Sequence, residues 1–318
     1  MRGPRYLSTF LILLLVACGG FRSTLQRYEY RQIHMGVEAR LVLYAPDSMR
    51  AVTAARAAFR RIAELDAIMS DYRDDSELME LVAQPAGRWV QVSQPLWRVL
   101  TVAQEVARRS SGAFDITAGP LVLLWREARR TGRLPDETVL QEARGRTGWR
   151  HLQLDSTRRS VRLDRPGMRL DLGGIAKGYA AAQALTVLRD HGVSRALVEL
   201  GGDIAVGAPP PNEGGWEIRL DDPAGAPPVL KLANSAISTS GDAAQFVVID
   251  GSRYSHVVDP RTGRALTRHT AATVISTNAL LSDPLATALG VLGPEDGARF
   301  LREHYPGVTF YVRQPGNP

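Results

Sequence analysis

The sequence predicts a mixed α+β fold on three observations. Helical and strand-like hydrophobic spacings are interleaved, strand signals dominate from His151 onward, and no repeat of fixed period runs along the chain, which excludes solenoids and propellers. The 44% apolar and 23% charged share of 318 residues is a globular balance with enough apolar mass for a sizeable core. That length suits one large domain or two closely packed lobes. The formal net charge of +6 is carried by scattered arginines, with no dense basic run and no paired Cys/His or aromatic reader motif, so nucleic-acid binding is set aside.

The chain opens on Arg2 and Arg5 and then an apolar stretch from Tyr6 to Val16, the charged and apolar regions of a secretory signal. A bilayer-spanning helix takes about 20 apolar residues, and this chain turns polar at Arg22. Leu15-Val16-Ala17-Cys18 looks like a bacterial lipobox, and Cys18 is the only cysteine, so it forms no internal disulfide. We therefore expect residues 1–17 to be a lipoprotein signal peptide, 18–29 a lipidated tether and 30–318 the folded domain. Acylated Cys18 would hold the protein on a bacterial membrane, facing the periplasm or the cell exterior, at about 0.8 kcal/mol per buried CH₂. A plain secreted protein with an incidental cysteine is the alternative.

The elements follow in order. Glu29 to Tyr44 alternates loosely and predicts an opening strand. Ser48 caps a helix with apolar residues at Val52, Ala55, Phe59, Ile62, Leu65 and Ile68. A second helix is expected from Pro95 to Arg109, stopped by Ser110-Ser111-Gly112, and the Arg- and Gly-rich stretch from Ala128 to Trp149 predicts a short exposed helix near a lobe boundary. Strands are expected at 151–155, 160–164 and 168–172, then a helix ending before Gly192. Further strands are expected at 195–200, 216–220 and 271–276, a hairpin at 245–258 turning on Asp250-Gly251, and a last helix near 284–291.

Three segments carry chemistry. Asp171-Leu172-Gly173-Gly174-Ile175-Ala176-Lys177-Gly178-Tyr179 runs through two glycines into a helix bearing a lysine. Close backbone approach, free N–H groups and an added charge suit a phosphate. The spacing is not that of a Walker loop, and a Gly-Gly turn also serves as plain connection chemistry. In Ser282-Asp283-Pro284-Leu285-Ala286-Thr287, Asp283 reads as helix N-cap and Pro284 as first-turn proline. Asp283 and Thr287 then share one face and offer hard oxygen ligands to Mg²⁺; an ordinary cap and a neutral helical threonine read equally well from these residues alone. His256, in Tyr254-Ser255-His256-Val257-Val258-Asp259-Pro260-Arg261-Thr262-Gly263, is able to accept a proton near neutral pH if it faces a site, and is otherwise a structural strand histidine.

Taken together and in this order, these segments resemble the ApbE family of FAD:protein FMN transferases from about residue 30 to 313. The resemblance rests on His34-Met35-Gly36, Ser70-Asp71-Tyr72-Arg73, Gly112-Ala113-Phe114-Asp115-Ile116-Thr117, Gly119-Pro120-Leu121 with Trp125, Asp171 to Tyr179, Glu199-Leu200-Gly201-Gly202-Asp203, Ser238 to Asp242, Ser255 to Gly263, and Asp283 with Thr287. It implies a T-fold-like α+β architecture, a central mostly antiparallel sheet flanked by helices in two closely packed lobes. It implies Mg²⁺-dependent transfer of FMN from FAD to a Thr or Ser hydroxyl with release of AMP. Acceptors would be flavin-bearing subunits of membrane electron-transport complexes. By the same resemblance Met35, Tyr72, Ala113, Phe114, Asp115, Asp171, Lys177 and His256 would line the FAD site, with Tyr72 stacking on a ring of FAD. Asp283, Thr287 and the carbonyl of Gly174 would hold the metal, and His256 would act as general base. The chain departs from the family pattern at Val37, at Val82, at Arg126-Glu127-Ala128 where Gly-Phe-Gly is usual, and at Ala243. FAD hydrolysis to FMN and AMP, or FAD binding without turnover, are the readings that remain beside transfer.

Overall fold

The computed structural model describes residues 24–220, 225–241, 245–269 and 271–313. The expected signal peptide, Cys18, Asp242 and Ala243 lie outside the described residues. No helix among the described residues is long and apolar enough to cross a membrane.

Strands β1 (Gln26–His34) and β2 (Val37–Ala45) pair along their full length. The expected single strand is thus a hairpin, turning on Met35 and Gly36 at φ 51° and 72°. Methionine in a left-handed turn position gives no Asn-Gly or Asp-Gly signal, which is why the turn escaped the sequence reading. Strand β1 also starts ahead of residue 30, so the last tether residues, from Gln26, belong to the sheet.

Helix α1 (Ser48–Met69) is capped by Asp47, which accepts the Arg50 N–H at 2.8 Å, rather than by Ser48, its first residue. After α2 (Glu77–Val82), β3 (Val90–Gln91) and α3 (Gln94–Arg109), the chain reaches α4 (Gly119–Thr131) and α5 (Glu137–Gly145). Gly119-Pro120 therefore begins a helix, as a first-turn proline does, and the stretch from Ala128 holds the end of α4 and all of α5.

Strands β4 (Leu152–Asp155) and β5 (Ser160–Leu163) pair with β3 in a small sheet. The strand expected at 168–172 is not one: Met168, Leu170 and Leu172 are buried by alternation, but the only ladder contact there is a bridge of Arg169 to Ala118. Gly119 explains the close approach. A Cβ at that position would lie 2.8 Å from the Arg169 backbone carbon and oxygen. We therefore expect Gly119→Ala to cost about 1–3 kcal/mol of stability, read as a lowered urea midpoint, by forcing apart the two segments that meet at the site.

Helix α6 (Ala176–Asp190) precedes β6 (Ala196–Leu200), β7 (Asp203–Val206), β8 (Trp216–Arg219), β9 (Val229–Leu232) and β10 (Ser235–Gly241). The hairpin of β11 (Phe246–Ile249) and β12 (Ser252–Ser255) turns on Asp250-Gly251 as expected, and β13 (Val258–Asp259) pairs with β14 (Arg264–Ala265). Strand β15 (Ala271–Ser276) leads to α7 (Ala279–Leu292), α8 (Pro294–His304) and β16 (Thr309–Val312). Helix α7 starts five residues ahead of its expected beginning at 284: Asn278 is the N-cap, accepting the Leu280 N–H, and Pro284 lies inside the helix. A proline is expected in the first turn because its missing N–H costs nothing there; this one interrupts the helical ladder instead.

The main sheet runs β1-β2-β6-β7-β10-β15-β16, antiparallel throughout. Its two faces follow the alternation of β2: Leu41 and Leu43 join the large core under α1, α6 and α7, while Val42 joins Trp216 and Ile218 of the β8–β9 hairpin on the other face. Each fully buried leucine of this kind contributes about 2 kcal/mol. A second, smaller core unites Leu121, Trp125 and Leu140 of α4 and α5 with Ile249, Val258 and Ala265. The segments 112–119 and 169–178 give Phe114, Ile116, Leu170, Leu172, Ile175 and Ala176 to the large core.

Candidate active site

Backbone turns bring the first group together. Around Gly174 there is no room for a side chain: a Cβ would stand 3.2 Å from Thr287 Oγ1 and 3.3 Å from the Phe114 ring. At Gly178, one turn into α6, a Cβ would meet the Ala279 carbonyl at 3.1 Å and the Asp283 Cβ at 3.3 Å. These two glycines let the start of α6 lie against the start of α7. Gly174 thereby meets Phe114 and Thr287 and Gly178 meets Asp283 where the two helices adjoin, and the i, i+4 spacing of Asp283 and Thr287 holds although the helix begins earlier than expected.

Charge is unevenly matched at that point. The Lys177 ammonium hydrogen-bonds Asp203 Oδ2 and lies 3.9 Å from Asp283 Oδ2. Asp203 and Asp283 are both buried, at 4% and 6% exposure. Burial works to lower the Lys177 ammonium, but the two carboxylates outweigh it and hold it above the ordinary lysine value. Burial, then the Asp203 charge, pushes Asp283 up to about 8, against the pull of Lys177. One positive charge serves two buried carboxylates. Asp283 Oδ2 is moreover buried without a hydrogen-bond partner, a costly state for a carboxylate oxygen.

These residues fit a hard cation. A buried, unsatisfied carboxylate oxygen, an adjacent hydroxyl and the Gly174 backbone form an oxygen-only donor set of the kind Mg²⁺ takes. No cluster of three or more His, Cys, Asp or Glu exists among the described residues, so a search for such clusters passes over a site built from one carboxylate, one hydroxyl and backbone.

The second group adjoins the first through Asp171. Its Oδ1 accepts the Gly173 N–H at 2.7 Å, its own N–H donates to the Ile116 carbonyl at 2.7 Å, and burial raises its carboxyl. Asp171 Oδ2 and Asp71 Oδ2 accept from the two arms of the Arg126 guanidinium at 3.1 and 2.8 Å. The same guanidinium stands 4.7 Å from the centre of the Tyr72 ring. Tyr72 is 77% exposed, a large ring laid open beside the polar cluster. Leu123, Met79 and Val82 line the adjoining cleft.

The other expected residues divide. Asp115 is buried and committed: Oδ1 accepts from the Thr117 N–H and hydroxyl at 2.8 and 2.6 Å, and Oδ2 from the Trp149 N–H at 2.8 Å. Burial raises its carboxyl. These bonds shape the loop that carries Phe114. Ala113 shares a small buried cluster with Val257, Leu266 and Val291, which brings the His256 segment near the same loop. His256 Nδ1 lies 3.2 Å from the Gln245 carbonyl. A carbonyl only accepts, so this contact is a hydrogen bond in the tautomer that carries its proton on Nδ1. Met35, at the hairpin turn, packs on the large core to which Phe114 also belongs, and the neighbouring Val37 lies against Gly201. Sequence reasoning gave no role to Asp203, Asp71 or Arg126, whose partners are distant in the chain. The Gly201-Gly202 pair that turns the chain into Asp203, both at positive φ, was the one available signal.

Known proteins match the chain along most of its length. The sequence model of the ApbE family matches residues 35–312. An FAD:protein FMN transferase of Treponema pallidum is 32% identical over 320 aligned positions, covering 93% of this chain and 88% of its own. One from Klebsiella pneumoniae is 34% identical, covering 87% of this chain and 86% of its own. The apo crystal structure of the Pseudomonas stutzeri flavinyl transferase ApbE superposes with a TM-score of 0.81 at 29% identity, over 92% of this chain and 93% of that one. The Vibrio cholerae flavin transferase ApbE gives 0.78 at 28% identity, over 91% and 98% of the two chains. With a family match spanning the main sheet from β2 to β16 and both groups of the site, the chain belongs to the ApbE family.

Proposed function

We propose that the protein transfers FMN from FAD to a Thr or Ser hydroxyl of acceptor proteins, with Mg²⁺ bound at Asp283, Thr287 and the Gly174 carbonyl. The observation that carries this reading is the pair of buried carboxyl groups at Asp203 and Asp283 served by one ammonium, with Asp283 Oδ2 left without a hydrogen-bond partner one helical turn from Thr287. Bound there, Mg²⁺ supplies Lewis-acid charge to the FAD pyrophosphate. Gly173 and Gly174 admit the phosphates close to backbone, and Tyr72 offers its exposed face to a ring of FAD. His256 Nε2 takes the proton of the acceptor hydroxyl; the hydroxyl oxygen bonds to the FMN phosphorus, the P–O–P link breaks, and AMP departs with the bridging oxygen. Lys177 stays an ammonium held by Asp203, a fixed positive charge beside the phosphates. The test is to incubate the protein with FAD, Mg²⁺ and a flavin-bearing subunit of a membrane electron-transport complex. An acceptor heavier by one FMN and fluorescent in a denaturing gel supports transfer; free FMN and AMP alone, or intact FAD, refute it.

Proton and metal compete for Asp283. Its carboxyl, raised to about 8 from an unfolded value near 3.8, favours the metal-free fold below pH ~4 and gives that stabilisation up as pH rises towards 8. Mg²⁺ binding therefore tightens by up to about tenfold per pH unit between pH 6 and 8 and levels above, which calorimetric titration at several pH values measures.

The same proposal places the protein outside the cytoplasmic membrane, anchored by lipid on Cys18. Radiolabelled palmitate should enter the wild-type chain and be absent from Cys18→Ser, which should shift from the membrane to the soluble fraction.

A further inference from the structure

Arg126 stands on α4 at the first position of the triplet where the family resemblance leads one to expect glycine. Resting on the flavin-transfer reading, we infer that Arg126 is a positioning residue that couples the ring-binding end of the site to its phosphate-binding end. Its guanidinium makes three contacts at once. Nη1 donates to Asp71 Oδ2 at 2.8 Å, Nη2 donates to Asp171 Oδ2 at 3.1 Å, and the planar group lies 4.7 Å from the centre of the Tyr72 ring. Asp171 in turn accepts the Gly173 N–H through its other oxygen. A continuous line of contacts therefore runs from the exposed ring of Tyr72, through Arg126 and Asp171, to the turn that carries Gly174.

The mounting of these groups fits the role. Tyr72 and Asp71 belong to the irregular segment between α1 and α2, whereas Arg126 projects from a regular helix. That helix is pinned one residue earlier, where the buried Trp125 donates its indole N–H to the Gly263 carbonyl at 2.9 Å and stacks on Tyr254. A fixed side chain thus holds two segments whose own structure is irregular. The ion pairs are part-buried, with side-chain exposures of 26% for Arg126, 21% for Asp71 and 15% for Asp171. They are therefore less screened than surface pairs. Lysine does not reproduce this arrangement, because a single ammonium has no planar fork to bridge two carboxylates while lying on a ring.

The experiment titrates FAD, with Mg²⁺ present, into the wild type, Arg126→Ala, Arg126→Lys, Tyr72→Ala and the Arg126→Ala/Tyr72→Ala double variant, and measures steady-state FMN transfer on the same proteins. We expect Arg126→Ala to bind FAD roughly 10–100-fold more weakly, with KM for FAD raised to match and kcat held within about threefold. Arg126→Lys should recover only part of the loss. The double variant should lose less than the product of the two single losses, because removing Tyr72 removes part of what Arg126 holds. Wild-type affinity in Arg126→Ala, full recovery in Arg126→Lys, a multiplicative double loss, or a fall in kcat at unchanged KM would each overturn the coupling. Should Arg126→Ala not fold, Arg126→Lys decides alone: a loss of affinity supports the coupling and full affinity overturns it. A wild-type protein that binds no FAD would overturn the flavin reading itself, a result distinct from any of these.

Discussion

Asp283→Ala should form no detectable covalent flavin on an acceptor, a loss of at least about a thousandfold in rate, while remaining folded. Removing the carboxylate takes away the unsatisfied Oδ2 and leaves Lys177 paired with Asp203 alone, one charge against one. That arrangement is balanced, so melting in the absence of Mg²⁺ should occur at or above the wild-type temperature at pH 8, where the wild-type Asp283 carboxyl, pushed up to about 8, is half ionised. The rate falls because the metal would lose its only charged ligand, and metal-ion stabilisation of phosphoryl-transfer charge amounts to several kcal/mol, about tenfold per 1.4 kcal/mol. Loss of activity together with retained or raised stability separates a ligand from a structural residue. In-gel flavin fluorescence and calorimetry read the two quantities. Normal labelling by Asp283→Ala would discard the metal assignment.

Lys177→Met should show the opposite balance, a large loss of stability. It leaves Asp203 and Asp283 buried together without the ammonium between them, and stranding buried charge in this way costs about 3–5 kcal/mol. The loss depends on pH in a defined sense. Without Lys177 the Asp283 carboxyl, already raised by burial and by the Asp203 charge, loses the ammonium that pulls it down, so the variant gains stability as pH falls from 7 towards 5 and loses it on the way back. Adding Asp203→Asn to Lys177→Met should restore much of the loss at pH 7, since one buried carboxylate then remains in place of two. Urea unfolding at pH 5 and 7 measures all of this. A Lys177→Met protein as stable as wild type at pH 7 would mean that the carboxylates are solvated and the charge argument is wrong.

Legibility in the sequence followed the range of the interaction. Strand β15 was read at its observed bounds and α3 to within one residue, because a run of β-branched and small residues or an apolar stripe is written locally. The i, i+4 relation of Asp283 and Thr287 was also local, and it survived an error in the helix start, since residues one turn apart share a face wherever the helix begins. Pro284 and Met35 misled for the same reason in reverse: each breaks a local rule in favour of tertiary packing. A proline inside α7 and a methionine at φ 51° carry no signal that a sequence displays. What could not be read was pairing. Arg126 meets its carboxylates 45 and 55 positions away, and Lys177 meets Asp203 26 positions away. Asp115 was placed in the FAD site by the resemblance alone, and its bond to Trp149, 34 positions away, was likewise beyond a local reading.

The central claim is a divalent cation seated at the meeting of α6 and α7 and facing the FAD pyrophosphate. A crystal grown with FAD and Mn²⁺ in place of Mg²⁺ tests it most directly through the anomalous signal of the metal. The account predicts one strong peak within coordination distance of Asp283 Oδ2, Thr287 Oγ1 and the Gly174 carbonyl, with phosphate oxygens of FAD completing its shell. A peak elsewhere, or FAD bound with Asp283 and Thr287 away from its phosphates, would contradict it.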